Sequence, residues 1–500
     1  MSERFVTRAA AEADLLAAAA FIAERMPQSD DRSEAISAVV PRFLARGEVD
    51  LAAGLADTVD DPHVRDRLLI AVAAKCAELD DDEYAMQLAE AIEEYGLQSQ
   101  AREGIALIKA AKGDLERARE IAAEVLHPDE VLAGIAIKQA ESGDEEAATE
   151  TLATIDYPSS SAAALMAMAA MRLAKDDTLK AAEYLESAAS LGLEIEHEEE
   201  RIRVLTDIGN AFIDAKRGDK AIETFERARI FAEELDNVHR DSLLAAIAQG
   251  LMRAGSVDLA DRTLDAVADK TQIANTLLGF AREYWRRDEK DEALEALDEA
   301  YEVLRSQKDT ETRDSKAKYV LFGSIAAQFA GFEKGERAIE IAEAIDDHDY
   351  SMSALSQVAQ VLTARGSDEQ AEQAMRAISE PYERMIAMIG MSDAAKREGR
   401  DELAITLLND AVELAEEVPQ LTARANATIE AAKRLRSLGQ DARASEAAST
   451  ALGYIADIRG ESSRAIALAN LSDLQENAET PLPENDAEAL RQILVQNRIS

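Results

Sequence analysis

The sequence predicts an all-α fold, assembled as an array of short helical hairpins. Three observations predict it. Hydrophobic residues make up 47% of the 500 residues while aromatics make up only 4%, and alanine is heavily used, which suits closely packed helices. Only 9 prolines and 22 glycines occur, and no long stretch alternates apolar and polar residues with period two, so helices are favoured over strands. One spacing pattern also recurs along most of the chain. A repeat array escapes the several-domain expectation for this length, because each unit packs on its neighbours.

The register is read from residues 207–228, DIGNAFIDAKRGDKAIETFERA. A helical run breaks at Gly218-Asp219 and a second run follows. Ile208 and Gly209 are adjacent, Phe212 comes one turn later, and Ala221, Phe225 and Ala228 share a face of the second run. With Ala221 as anchor, equivalent alanines are Ala52, Ala85, Ala118, Ala148, Ala181, Ala260, Ala293, Ala338, Ala371, Ala404 and Ala444. Six of the eleven gaps are 33 residues, one is 30 and four are 39–45. Twelve residues before the anchor stands Ala, Gly or Ser in every unit but the first, which has Val40. Two helices that cross closely need no more than a methyl-sized group at the crossing. Gly47, Gly113, Gly143, Gly255, Gly366, Gly399 and Gly439 recur at the turn, where a left-handed residue ends a helix. An acidic residue often follows, at the positive end of the next helix dipole.

This pattern resembles the tetratricopeptide (TPR) family, with its large–small pair, a later aromatic, and Ala-x3-Phe-x2-Ala. Most aromatic positions are aliphatic or Ala here. The resemblance implies a right-handed α-solenoid of about twelve TPR-like repeats, with ligands held along the concave face of the first helices.

The elements follow in order. Residues 1–29 read as an N-terminal capping helix or half repeat, with Ala19 and Ala23 in second-helix register. Leu15–Ala23 is apolar enough to pass as a signal-peptide core, but Glu12 and Asp14 precede it and the cap reading is preferred. Residues 30–475 form the repeat array. ValAspAspPro at 59–62, IleAspTyrPro at 155–158 and IleSerGluPro at 378–381 read as stops between units. Long gaps follow Ala181, Ala221, Ala293 and Ala404. Three of these units have lengthened second helices, which are either tolerated insertions or a ridge for contact. Residues 461–475 read as a final first helix, 476–486 (ENAETPLPEND) as a linker, and 487–500 as a C-terminal helix. That helix is a docked cap or a free tail, and the cap is favoured because terminal repeats need covering.

Charge narrows the partners. Asp and Glu number 99 against 55 Lys and Arg, a formal net charge of −44. Arg outnumbers Lys. An acidic load with scarce lysine suits concentrated salt, so a halophilic cytoplasm is the expected setting. The field repels nucleic acid and anionic lipid. No 18-residue apolar run is present, so no membrane insertion is expected. Cys76 stands alone and falls on a core position.

The search for chemistry yields little. The sequence holds no phosphate-cradling glycine loop and no His-Glu-x-x-His. The histidines at 63, 127, 197, 239 and 348 lie far apart near inter-repeat turns. No metal, no cofactor and no catalytic set is therefore expected. The concave positions, 18, 15, 11, 8 and 7 residues before each anchor, are more informative. They are mainly apolar in the second to fifth units, as in Ile70, Leu107, Ile137 and Met166. Later they turn polar and basic. The groove candidates are Arg203, Asn210, Arg253, Arg282, Trp285, Arg286, Lys396, Arg397, Lys433 and Arg436. At these positions eight bases face two acids, Asp214 and Asp393. The residue types are similar to the carboxylate-gripping grooves of chaperone-binding TPR domains, which implies an acidic or carboxylate-ended peptide partner. The plainer reading is that helix ends attract Arg and Lys. Trp285 reads first as packing and second as a stacking platform. The expected function is a non-enzymatic protein-interaction scaffold. A self-assembling structural protein is the alternative, and a small-ligand sensor or enzyme ranks last.

Overall fold

The computed structural model describes residues 4–306, 312–475 and 482–496. Residues 476–481 of the expected linker and 497–500 of the expected terminal helix lie outside the described residues. Every regular element described is helical: 28 α-helices and one 3-10 turn. The chain divides into two compact units, one of residues 1–101 with 335–500 and one of residues 102–334.

Local sequence accounts for the hairpins. Every anchor alanine is 0–1% exposed, and so are ten of the twelve residues at the crossing position, among them Ala73, Ala136, Ala248 and Ala432. Five residues before every anchor lies a residue with positive φ. Seven are the glycines expected there. The other five are Asp80, Asp176, Lys216, Asp288 and Glu333, with φ between 57° and 63°. In the Ala221 hairpin the turn residue is therefore Lys216. Gly218, read from sequence as the break, is the first residue of the helix Gly218–Glu234. Aspartates then cap several second helices: Asp81, Asp114, Asp144 and Asp177 each accept a backbone N–H three residues on. Pro62, Pro158 and Pro381, read as stops, begin the next first helices, where a missing N–H costs nothing.

Two glycines answer to one phenylalanine. Phe225 is fully buried. A methyl added at Gly209 would meet its ring at 2.6 Å, and one at Gly250, in the next first helix, at 2.4 Å. The ring fills the space that both glycines leave.

Polar clamps fasten successive hairpins. Asp66 accepts from the N–H groups of Glu93 and Glu94, both at 3.2 Å. Asp241 does the same for Ala268 and Asp269 at 2.9 and 2.8 Å, and Asp129 for Asp156 and Tyr157. Each aspartate lies 19 residues before its anchor. Arginines at the fourth residue of other first helices reach back to the carbonyl that closes the preceding second helix: Arg201 to Ile195, Arg424 to Val418, Arg464 to Ile458. These carbonyls are among those a helix end leaves without an intrahelical donor.

In the first unit the two ends of the chain meet. The helix Leu15–Arg25 packs on Asp30–Arg46 and on Glu461–Ser472, and Glu484–Gln496 packs on Asp441–Asp457 and the two N-terminal helices. Leu15 through Ala23 are all buried. The residues read as a leading cap thus cover a helix from the far end of the sequence.

Candidate functional site

The first helices Glu198–Asp214, Arg240–Arg253 and Lys270–Arg286 of the second unit stand side by side. Their repeat register aligns equivalent positions: Asp214, Arg253 and Arg286 lie seven residues before their anchors, and Asn210, Gln249 and Arg282 eleven. Along Lys270–Arg286, at 3.6 residues per turn, Asn275, Arg282 and Arg286 fall on one face while Leu277, Phe280 and Tyr284 fall on the other.

Most of the bases hold partners within the chain. Arg203 lies 3.8 Å from Glu199. Arg253 donates to Asn210 Oδ1 at 3.1 Å and lies 3.6 Å from Asp214. Arg286 grips Glu283, which also takes Arg287. Partial burial pushes the Glu283 carboxyl up, but the hydrogen bond and charge of Arg286 and the charge of Arg287 outweigh it and hold it below its usual pKa. Arg282 differs. It is exposed, and its Nε donates to Leu278 O of its own helix at 3.2 Å. Among the described residues no carboxylate pairs with it. Trp285 stacks flat on Phe332, with centroids 4.2 Å apart and planes 5° from parallel, and Lys290 sits 5.0 Å from its centroid.

The other four candidates lie in the first unit. Lys396 Nζ reaches Ser437 Oγ at 2.9 Å, and Arg397 Nε bonds Asp393 O at 3.3 Å. Lys433 contacts Glu430 and Asp473, and Arg436 donates to Leu474 O. Arg434, outside the positions counted from sequence, pairs with both Asp393 and Glu430. The candidates therefore form two sets in different units. Counting five positions per helix missed Glu199, Glu283 and Glu430, which pair with candidates at i, i+4 or i, i+3 on the same helix; that spacing was the available signal. The count also missed Asp473, which reaches Lys433 from 40 residues away and left no local signal.

Among the described residues no group of three or more His, Cys, Asp or Glu is arranged to hold a metal ion. No described helix is long and apolar enough to cross a membrane. Cys76 is buried, and burial with nearby Asp81 and Asp50 pushes its thiol up to about 11, away from thiolate chemistry.

No protein-family model matches the sequence, and no curated protein matches it. Among solved structures the chain is similar to the apo form of the quorum sensor NprR from B. thuringiensis: 13% identity, 72% of this chain and all of that one, TM-score 0.26. It is also similar to the APC/C hetero-tetramer Cut9-Hcn1, with 13% identity over 90% of each chain and TM-score 0.21. A circular tandem repeat protein with novel repeat topology matches at 16% identity over 93% and 91% of the two chains, TM-score 0.14. Likeness of this degree carries no argument about binding. The all-α repeat architecture rests on the chain's own helices and turns.

Proposed function

We propose that the chain is a non-enzymatic interaction scaffold whose second unit takes an acidic or carboxylate-ended peptide along its first helices. The observation that carries this reading is Arg282. It is exposed, with no carboxylate partner among the described residues, between Gln249 on the neighbouring helix and Arg286 one turn along its own. Arg253 and Arg286 flank it at equivalent positions and are 48% and 69% exposed at the side chain. A peptide carboxylate accepts a bidentate pair of N–H bonds from a guanidinium. Asn210 and the Gln249 amide supply neutral donors for peptide carbonyls alongside. The expected occupant is short and extended, and it competes with Asp214 and Glu283 for the flanking arginines.

A peptide array that varies acidic content and the free or amidated C-terminus tests this. Acidic or free-carboxylate peptides should be selected, and Arg282→Glu should abolish the selection while Lys396→Glu in the other unit leaves it intact. Retention of the same peptides by Arg282→Glu overturns the reading.

A further inference from the structure

The seam where the chain ends meet is held by residues very distant in sequence. Arg42 Nε donates to Asp473 Oδ1 at 2.8 Å, and its Nη2 donates to Asp473 Oδ2 at 3.1 Å and to Asn470 Oδ1 at 2.9 Å. Lys433 approaches the same carboxylate at 2.9 Å. Leu15 N–H donates to Gln475 Oε1 at 3.1 Å. Beneath these contacts, Leu16, Ala19 and Ile22 on one side and Ala467, Leu468 and Leu471 on the other are all 2% exposed or less.

The two sides, Leu15–Arg46 and Glu461–Gln475, are joined covalently only through residues 47–460, and among the described residues nothing but packing and polar contacts closes them. An opened seam lays bare two apolar helix faces, which water does not tolerate over several hundred Å². The two faces differ from each other. The surface that fits either one is therefore the opposite face, whether from the same chain or from a second copy.

We propose that this seam is exchangeable, so that a second copy of the chain is a specific partner. The Leu15–Arg46 segment of each copy docks on the Glu461–Gln475 segment of the other. Reciprocal exchange restores every seam contact without any new interface, which is why exchange of an identical element is a low-cost route to a dimer. The occupant is set by the interface already present: a small-residue apolar face with an arginine that must meet the Asp473 carboxylate. This inference does not rest on the peptide groove, which lies in the other unit.

Charge exchange at the seam tests it. In Arg42→Asp the seam sets two carboxylates together, and in Asp473→Arg it sets three bases together. Each variant alone should be monomeric, with faster amide exchange in Leu15–Arg25. An equimolar mixture refolded together should form a heterodimer of twice the monomer mass in light scattering. The double variant Arg42→Asp/Asp473→Arg, complementary within one chain, should recover wild-type protection. Wild type refolded at high concentration should also give a dimer fraction that falls when refolding is dilute. A mixture that stays monomeric while the double variant is rescued overturns the proposal. If the single variants do not fold, wild type that stays monomeric at every refolding concentration overturns it instead.

Discussion

The turn between the two helices of each hairpin allows a backbone effect to be measured nearly free of contacts. Gly255 has φ +88°, and a methyl placed on it meets nothing within 4 Å. Lys216 holds the equivalent place in the preceding hairpin at φ +57°. A left-handed residue with a Cβ costs roughly 1–2 kcal/mol. Glycine gives back part of that, about 0.5–1 kcal/mol, because it loses more backbone freedom on folding. The difference predicts that Lys216→Gly stabilises by roughly 0.5–1 kcal/mol and that Gly255→Ala destabilises by about 1 kcal/mol, by the same balance in reverse. Urea unfolding of both variants measures the sum over the unit. Native-state amide exchange in Glu198–Asp214 and Arg240–Arg253 measures it locally, which matters because repeat arrays do not always unfold in one step. If Lys216→Gly is neutral or destabilising while Gly255→Ala is harmless, the turn conformation does not govern these hairpins and the reasoning fails.

Other consequences follow from named contacts. Gly250→Ala drives a methyl into the Phe225 ring and should cost about 1–3 kcal/mol by overpacking, and Phe225→Leu in the same chain should recover part of the loss in a double-mutant cycle. Arg424→Lys keeps the charge but loses the fork that spans Val418 O and Glu416 O. It should destabilise by about 1 kcal/mol, read as a lower urea midpoint, whereas a midpoint equal to wild type would show that charge alone sufficed. For the seam, partial burial raises the Asp473 carboxyl, but hydrogen bonds and charge from Arg42 and Lys433 outweigh it and leave its pKa lowered. A carboxylate depressed in the folded state contributes stability above its unfolded pKa, near 4, and loses it as pH falls through the folded value. Amide protection of Leu15–Arg25 should therefore decline below about pH 4 in wild type, and Asp473→Asn should show that lower protection already at neutral pH and a weaker decline.

Much of the hairpin was legible because its code is short-range. Alanine at the anchor and a small residue twelve positions earlier are demanded by two helices in contact within one unit, so both could be read from spacing. The turn was legible where glycine marks it and illegible at Lys216 and Glu333, because packing on both sides can impose a left-handed residue on any side chain at a cost. Arg201, Arg424 and Arg464 give part of the arginine content a structural reason: a planar fork reaches a helix-closing carbonyl that a lysine ammonium meets with less definition. At the proposed groove positions the residue types were legible but their pairing was not. Pairing depends on side-chain reach, and Glu283 took up Arg286 from one turn away.

By itself, then, the sequence determined the all-α class, the repeat register and the close crossing of paired helices, since each follows from residues a few tens of positions apart and from backbone preferences that act locally. Tertiary structure alone decided which arginines remain without a carboxylate, that Asp66, Asp129 and Asp241 tie one hairpin to the next, and that the ends of the chain meet. The bond between Arg42 and Asp473 spans 431 residues. No local pattern encodes such a contact, because it exists only when the packing of the first unit brings those two side chains within reach.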